Sequence, residues 1–331
     1  MNRIPLYPLR FEPIFQYRPW GGRRLANLLS VPLPGEDPIG EAWLLSDRDE
    51  HPSRIADGPL KGQTLGQLVT DSPEQLLGTA AMHLRRFPLL LKILDVRGRL
   101  SAQVHPSDQQ ARFLPPGERG KTEAWVVLEA GSHSRVYAGL NPGTTAADLR
   151  RAVANRTVAD HLASFTPLPG DAVLVRAGLV HALEDLVVFE VQQNSDVTFR
   201  LYDWDHLDAK TGQLRPLQIE QAMACMDFPQ GAVAPVVPVV EAAQPLRRER
   251  LLLCEQFGMW RLHGRAPFRV GRRATARVLA CIAGNGAVVH DGAEYPFCKG
   301  DVLLLPAAVG ECLCVMQHPV TMLEILLPEG S

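Results

Sequence analysis

Two pairs of polar residues, each with a spacing of two, have the composition of a metal site. Gln103 and His105 lie in the segment LSAQVHPSD, and Lys121 and Glu123 lie in GKTEAW. Because successive side chains of an extended chain point to opposite faces, residues i and i+2 share one face. Each pair can therefore project into a common space from its own strand. An amide oxygen, an imidazole and a carboxylate beside an ammonium group would suit a metal ion.

A second histidine, His181, follows much later in the segment PGDAVLVRAGLVHAL. Zinc commonly binds histidine nitrogen and carboxylate oxygen, and catalytic zinc keeps one coordination position open. His105, Glu123 and His181 supply such a set, and Gln103 adds a neutral oxygen donor beside His105. Each of these residues alone is equally compatible with a turn, a strand edge or a backbone hydrogen bond. Their spacing as a group strengthens the metal-site interpretation but leaves these structural alternatives open.

Two charged residues downstream lie in apolar strand segments. Glu190 is in VVFEVQQ, and Arg200 is in VTFRLYDW. An apolar setting raises the pKa of a carboxyl group and suits Glu190 to acid–base chemistry, although a salt bridge to Arg200 is the alternative. A buried arginine needs a carboxylate partner or an anionic ligand. The candidate carboxylate partners of Arg200 are Asp196, Asp203 and Asp205.

The elements that must position these residues are mostly strands. Short apolar segments predict β-strands over residues 39–47, 88–96, 100–104 and 123–128, and further strands follow the PGD turn. A turn is predicted at residues 97–99. The opening segment RFEPIFQYRPWGGRRL contains Pro19 and the pair Gly21-Gly22, which predict irregular chain or a short strand that ends in a turn.

Helices are predicted in three places. Two short ones are expected within residues 60–85, one of them starting at Ser72-Pro73-Glu74, which supplies an N-cap serine, proline at the first helical position and a carboxylate in the first turn. Two more are expected near residues 144–163. The segment RPLQIEQAMACM, residues 215–226, is amphipathic at helical spacing.

The chain is predicted to have two domains, residues 1–227 and 247–331. Between them, residues 228–246 contain four prolines among small apolar residues, as is typical of a linker or crossover. The C-terminal part contains short strands with glycine turns, so we expect an all-β domain there.

An internal repeat relates the two parts. The segment that starts at Pro169-Gly170-Asp171 is similar to the one that starts at Lys299-Gly300-Asp301, and Glu311 takes the place of His181. This repeat predicts a duplicated β-barrel whose second copy lacks the metal ligands.

Composition narrows the choice of partners and of compartment. A formal net charge of −2 without a long basic run argues against nucleic-acid and membrane binding. No apolar stretch is long enough to span a bilayer, and the N-terminus shows no secretory signal. All six cysteines lie at or after Cys225 and none forms a CxxC pair, so reduced, mostly buried thiols are expected. We therefore expect a cytoplasmic protein, and its oligomeric state stays open.

Several segments resemble the class I mannose-6-phosphate isomerases, especially their short bacterial form. In chain order they are YRPWGG, IGEAW, PLLLKILDVRGRLSAQVHPSD, GKTEAWVVLEA, VYAGLNPGTT, PGDAVLVRAGLVHAL and FEVQQNSDVTFRLYDW. The resemblance extends from about residue 11 to 228. It implies a mainly β bicupin of two jelly-roll barrels with a small helical insertion. It also implies one zinc ion per chain and the interconversion of mannose 6-phosphate and fructose 6-phosphate, an intramolecular oxidoreduction of a phosphorylated hexose.

The resemblance further implies a role for each candidate residue. The zinc ligands would be Gln103, His105, Glu123 and His181. Arg200 would be the active-site arginine, and Lys121 and Glu190 would line the same pocket.

Two other functions are compatible with this ligand set. One is a cupin oxygenase that uses iron, because the same ligands suit several metals. The other is a non-catalytic sugar-binding bicupin with a structural metal. Lys121, Glu190 and Arg200 argue against the second, because a structural metal site does not require them.

Overall fold

The computed structural model describes residues 6–328, and it is mainly β. Strands are numbered in chain order. The first twelve are β1 Leu9–Arg10, β2 Ile14–Gly22, β3 Ile39–Leu45, β4 Asp47–Arg48, β5 His51–Pro52, β6 Leu89–Arg99, β7 Ala102–Val104, β8 Glu123–Leu140, β9 Leu162–Phe165, β10 Ala172–Val175, β11 His181–Gln193 and β12 Phe199–Tyr202. The other ten are β13 Val239–Ala242, β14 Arg247–Leu253, β15 Gly258–Gly264, β16 Phe268–Val270, β17 Arg277–Ala283, β18 Asn285–His290, β19 Ala293–Cys298, β20 Val302–Leu305, β21 Cys312–Val315 and β22 Val320–Leu326.

Within residues 6–328 the helices are short, and all of them lie before residue 231. The α-helices are α1 Leu65–Asp71, α2 Pro73–Leu77, α3 Ala146–Asn155 and α4 Ile219–Cys225. Short 3₁₀-helical segments lie at Arg24–Asn27, Thr79–Met82, Asp108–Phe113, Val158–His161 and Phe228–Gln230, and the third of them is kinked at Gln110. Within the described residues, no helix is long and apolar enough to cross a membrane.

Strand β11 is the central strand of a nine-stranded sheet. The main path of this sheet is β10-β8-β11-β6-β2-β3; β7 pairs with both β11 and β12, and β9 pairs with β8. Strand β11 pairs in antiparallel orientation with β6, β7 and β8. Three segments that are distant in sequence consequently lie next to one strand, and this arrangement forms the candidate site.

The C-terminal strands form a seven-stranded sheet, β1-β20-β17-β22-β15-β14-β13, and a four-stranded sheet, β16-β21-β18-β19. The first of these sheets includes β1 from the N-terminus, because Leu9 is the register partner of Leu304. Residues 228–246 contain strand β13 at the edge of the same sheet. The boundaries at residues 227 and 247 stay a prediction.

The predicted internal repeat has matching hydrogen bonds. Gly170 and Gly300 both have φ of +93°, and the N–H of each donates to a carbonyl of the neighbouring strand at 2.8 Å. The carboxylates of Asp171 and Asp301 both accept a backbone N–H from three residues earlier, again at 2.8 Å. The same turn therefore precedes β10 and β20, the corresponding strands of the two copies.

Several predicted boundaries are wrong. Strand β3 ends at Leu45 and β7 begins at Ala102, each two residues inside the predicted range. The opening segment forms strand β2, which is nine residues long and ends at the pair Gly21-Gly22, so the strand alternative of the prediction is confirmed. A Cβ atom on Gly21 would lie 2.4 Å from Gly40 N, and one on Gly22 would lie 2.6 Å from an Asp95 carboxylate oxygen. These glycines therefore permit close strand packing at the end of β2. Strands β6 and β8 extend past the predicted ends, to Arg99 and Leu140, because both pair with β11 along most of its length. The predicted turn at residues 97–99 is therefore wrong, since these residues belong to β6.

The helix predictions are confirmed in their positions, with two differences in detail. Ser72 and Pro73 begin α2 as predicted, but the Ser72 side chain makes no capping hydrogen bond. The second helical stretch near residue 160 is a single 3₁₀ turn followed by β9. The six cysteines are free thiols, four of them buried.

Candidate metal centre

The candidate ligands come from three neighbouring strands. His181 begins β11, and its register partner on β7 is Gln103. Gln103 is in turn paired with Arg200 on β12. Because paired residues of adjacent strands project to the same face, these three side chains form a row. His105 follows directly after β7, and Glu123 is the first residue of β8.

Two imidazoles and one carboxylate meet in the buried interior. His105 Nε2 lies 3.4 Å from one Glu123 carboxylate oxygen, and His181 Nε2 lies 3.3 Å from the other. Ligand atoms of His105, Glu123 and His181 all lie within 4.8 Å of one another. In residues 6–328, these three are the only group of three or more His, Cys, Asp or Glu side chains with metal-site geometry.

Backbone carbonyls orient both imidazoles. His105 Nδ1 lies 2.9 Å from Val197 O, and His181 Nδ1 lies 2.9 Å from Leu179 O. A carbonyl oxygen can only accept, so each Nδ1 carries the proton and each Nε2 presents a lone pair to the centre. Metal-binding histidines usually have such an outer hydrogen bond, which fixes the tautomer and the ring orientation.

Electrostatics keep this group in the protonation state that a metal requires. Burial, reinforced by the Lys121 charge, lowers the pKa of His105 to about 3, and burial also lowers the pKa of His181. Burial alone would raise the pKa of Glu123, but the charge of Lys121, whose Nζ lies 2.7 Å away, holds it well below its usual value. Neutral imidazoles and an ionised carboxylate are the metal-binding forms.

Two buried polar atoms of the candidate centre lack hydrogen-bond partners, as expected for atoms that bind a metal ion. His105 Nε2 and Glu123 Oε1 are buried and have no hydrogen-bond partner in the described structure. Such atoms normally find a partner, and a cation would supply one. Gln103 Nε2 lies 3.1 Å from His181 Nε2, so a rotation of the amide would direct its oxygen at the same point.

A cavity of about 410 Å³ opens beside this centre. Gln103, Lys121 and Glu190 are among the residues that line it. Glu190 accepts a hydrogen bond from Trp125 Nε1 at 2.9 Å, whereas its other carboxylate oxygen has no hydrogen-bond partner and lies 3.6 Å from Lys92 Nζ. Burial, and then the Glu123 charge, raise the pKa of Glu190 against the opposing charges of the two lysines.

Arg200 lines the same cavity but is only half-buried, so the prediction of a buried position is wrong. Strand β12 lies at the edge of the sheet, which leaves one side of Arg200 open to the cavity. None of its three candidate partners is within 4.0 Å, because Asp203 pairs with Arg215, Asp205 with Arg156, and Asp196 with Lys92. Its Nε is buried and has no hydrogen-bond partner among the described residues. Glu190 likewise pairs with Lys92 and not with Arg200.

Comparisons with known proteins agree with this architecture. Residues 9–138 match the family model of the type I phosphomannose isomerase catalytic domain. The chain is 34% identical over 320 residues to the mannose-6-phosphate isomerase ManA of Bacillus subtilis, a match that covers 94% of this chain and 98% of that protein. The chain belongs to the type I phosphomannose isomerases.

Two further matches cover more than nine-tenths of the chain. A mannose-6-phosphate isomerase of Streptococcus mutans is 31% identical over 304 residues, which are 91% of this chain and 93% of that protein. The crystal structure of the Bacillus subtilis mannose 6-phosphate isomerase matches with a TM-score of 0.88 at 28% identity, over 97% of this chain and 100% of that chain. The predicted mainly β bicupin fold is confirmed by this match.

The structure of this type I family member adds three cavity residues that the sequence analysis missed: Lys92, Arg18 and Arg215. Lys92 is buried on β6 as the register partner of Glu190, and its ammonium lies 3.6–3.7 Å from the carboxylates of Glu41, Glu190 and Asp196. A lysine inside the apolar segment PLLLKIL was a usable signal, because a buried charge in a strand needs partners. The two arginines gave no local signal.

We predict one metal ion per chain. The position in the second copy that corresponds to His181 is Glu311, whose carboxylate is half-exposed and pairs with Arg269. The histidines of that part, His263, His290 and His318, belong to no candidate metal group. Elemental analysis of the purified protein should give a metal-to-chain ratio close to one. A second ion bound between residues 247 and 331 in a crystal would contradict this prediction.

Proposed function

We infer that this chain is an aldose–ketose isomerase that interconverts mannose 6-phosphate and fructose 6-phosphate, with zinc as its metal. The observation that carries this inference is that the His105, Glu123 and His181 group lies next to a polar cavity. His181 and Glu123 contact the lining residues Gln103 and Lys121, at 3.1 and 2.7 Å, and Glu190 and Arg200 line the same cavity. Family membership supports the isomerase over the oxygenase and the non-catalytic alternatives.

An aldose–ketose conversion moves a proton between two adjacent carbons and builds negative charge on their oxygens. A zinc ion held by His105, Glu123, His181 and Gln103 would act as a Lewis acid that polarises the substrate carbonyl. The chain must then supply a group that moves the proton and donors that stabilise the oxygens.

Glu190 is our candidate for the proton transfer. It is buried beside the centre, and one of its oxygens has no hydrogen-bond partner. Its raised pKa brings the carboxyl group closer to the working pH, where it can both accept and return a proton. Trp125 fixes the orientation of the carboxylate through the hydrogen bond to its other oxygen.

Arg200 and Lys121 are our candidates for stabilising the substrate oxygens. Arg200 lacks a carboxylate partner, and its register position next to Gln103 places it beside the metal ligands. The charges of Glu123 and Glu190 outweigh burial and raise the pKa of Lys121, so its ammonium stays charged. Fixed cations of this kind act strongly in a site that is shielded from water.

The proposed function is tested on the purified protein by two measurements. A coupled assay should detect fructose 6-phosphate formed from mannose 6-phosphate, and elemental analysis should identify zinc. Protein that contains zinc but forms no fructose 6-phosphate would refute the isomerase proposal.

Six free thiols with no disulfide support the proposal of a cytoplasmic location, because thiols persist in a reducing compartment.

Replacing Glu190 by glutamine should lower kcat by about 10²- to 10⁴-fold, the usual contribution of general acid–base catalysis. The amide keeps the size of the side chain and can still accept from Trp125, so metal content and KM should change little. Glu184→Gln is the matched control, because Glu184 lies on the same strand and pairs with Arg99 outside this cavity. A kcat of Glu190→Gln within about threefold of wild type would remove Glu190 as the proton-transfer group.

A further inference from the structure

The segment Gly120-Lys121-Thr122 places the Lys121 side chain at the cavity and leads directly to Glu123. These three residues belong to no strand, because β8 begins at Glu123. Each of their backbone N–H groups nevertheless donates to a defined acceptor. Lys121 N donates to the Pro106 carbonyl at 2.9 Å, whereas Gly120 N and Thr122 N both donate to side chains. The position of the segment therefore depends on those two side chains.

The two side chains belong to Asp108 and Gln193, which also bond to each other. Asp108 Oδ1 accepts from Gly120 N at 2.8 Å, and Gln193 Oε1 accepts from Thr122 N at 2.9 Å. Between them, Gln193 Nε2 donates to Asp108 Oδ2 at 3.0 Å. We call this row of three hydrogen bonds the Asp108–Gln193 clamp. A backbone N–H can only donate and a carboxylate can only accept, so the orientation of the Gln193 amide between them is determined.

The clamp connects this segment to the two parts of the chain that carry the imidazoles of the candidate centre. Gln193 is buried and ends β11, the strand that begins with His181. Asp108 lies three residues after His105. Glycine at position 120 permits the close approach, because a Cβ atom there would lie 2.4 Å from Asp108 N. A change in the clamp therefore acts at the point where all three segments meet.

The clamp acts on the site through Lys121 and Glu123. Neither Asp108 nor Gln193 lines the cavity, so neither is a candidate for contact with the substrate. Lys121 Nζ lies 2.7 Å from a Glu123 carboxylate oxygen, so a shift of the segment would displace the ammonium and the carboxylate together. A misplacement of about 1 Å can cost an enzyme about 10²-fold in rate.

We propose that Asp108 and Gln193 are positioning residues, whose clamp holds Lys121 against Glu123 and keeps the Glu123 carboxylate in place for the metal. This inference rests on the proposed function for the roles of Lys121 and Glu123. Residues around the ligands of a metal site commonly contribute in this way, and their loss typically costs about 10- to 100-fold in metal affinity or activity.

The test exchanges the two side-chain types of the clamp, singly and together. In Asp108→Asn, one pair of N–H donors must face each other whichever way the two amides are turned. In Gln193→Glu, two carboxylates would face each other. In the double variant Asp108→Asn/Gln193→Glu, the new amide donates to the new carboxylate, so three hydrogen bonds form again and the net charge is unchanged.

Each single variant should lower kcat about 10- to 100-fold and raise the Kd for zinc, measured by competition with a chelator, by a similar factor. The double variant should return both quantities to within about threefold of wild type, because the two changes act on one shared hydrogen bond and are not additive. All measurements are made well below the melting temperature of each variant, with folding checked by circular dichroism. A merely structural role would lower the melting temperature and leave the kcat and the zinc Kd of the folded protein unchanged.

Two more variants keep the test independent of folding. Asp108→Ala removes the carboxylate without opposing two donors, and water can reach this position because the Asp108 side chain is 33% exposed. It should therefore fold and still show the loss in kcat and in zinc affinity. Asp171→Asn is the matched control, because the Asp171 carboxylate is also partly exposed and accepts a backbone N–H of its own turn at 2.8 Å, away from the cavity. It should change neither quantity.

The outcomes distinguish this inference from the proposed function. Folded Asp108→Asn and Asp108→Ala variants with the kcat and the zinc Kd of wild type would overturn the clamp and leave the isomerase intact. A double variant that recovers neither quantity would also overturn it. A wild type without isomerase activity would refute the proposed function. In that case a zinc Kd that rises in the single variants and recovers in the double variant would still support the clamp.

Discussion

His105→Ala and His181→Ala are each expected to leave a folded protein without stoichiometric metal and to lower isomerase activity by about 10³-fold or more. Each substitution removes one Nε2 lone pair from a group whose members lie within 4.8 Å of one another. A bound metal contributes several kcal/mol to stabilising the transition state, and each 1.36 kcal/mol is a factor of ten in rate. For each variant, elemental analysis measures the metal content, circular dichroism measures folding, and the coupled assay measures isomerase activity.

His263→Ala is the control for these metal-site variants. His263 is a partly buried histidine in the C-terminal sheet, and its Nδ1 lies 3.0 Å from the Thr321 hydroxyl. Its replacement should change neither metal content nor activity. Full metal occupancy in both His105→Ala and His181→Ala would show that the metal is bound elsewhere.

Arg200→Lys is expected to lower kcat by roughly two orders of magnitude or more, about the effect of losing one oxyanion donor. Lysine keeps the positive charge but cannot reproduce the planar fork of five donors. Metal content and melting temperature should stay near wild type, because Arg200 has no carboxylate within 4.0 Å that would lose its partner. Steady-state kinetics, elemental analysis and thermal unfolding of this one variant provide the measurements.

The kinetic pattern distinguishes a role of Arg200 in the transition state from a role in substrate binding. Loss of an interaction that forms only in the transition state lowers kcat, whereas loss of uniform substrate binding raises KM. We therefore expect the effect of Arg200→Lys to fall on kcat. Arg48→Lys serves as the control for an arginine-to-lysine change outside the cavity. A near-normal kcat with a markedly lower melting temperature would make Arg200 a structural residue.

The sequence alone was sufficient to predict the core of the candidate metal site. Gln103 with His105, and Lys121 with Glu123, are i, i+2 pairs, and extended chain places such pairs on one face irrespective of what lies beside them. That local rule does not bring the two pairs together or add His181. The motifs shared with the isomerase family supplied this step, and the geometry of His105, Glu123 and His181 agrees with it.

The residues that complete the cavity required the tertiary structure. Glu190 and Lys92 are close because β11 and β6 pair with those two residues opposite each other. Such a register depends on turns and on the burial of whole sheet faces, so no short segment encodes it. The same holds for Glu41, which lies on β3 with a carboxylate oxygen 3.7 Å from Lys92 Nζ.

The pairing of Arg200 shows most clearly what the sequence alone did not determine. From the sequence, Arg200 had three nearby aspartates as possible partners, and its burial on an apolar strand was predicted. In the folded chain β12 is an edge strand, and other cations, Arg215, Arg156 and Lys92, take up those three carboxylates. Side-chain pairing of this kind is a competition among groups from distant segments, and only the complete fold determines which charge remains unpaired and available to a ligand.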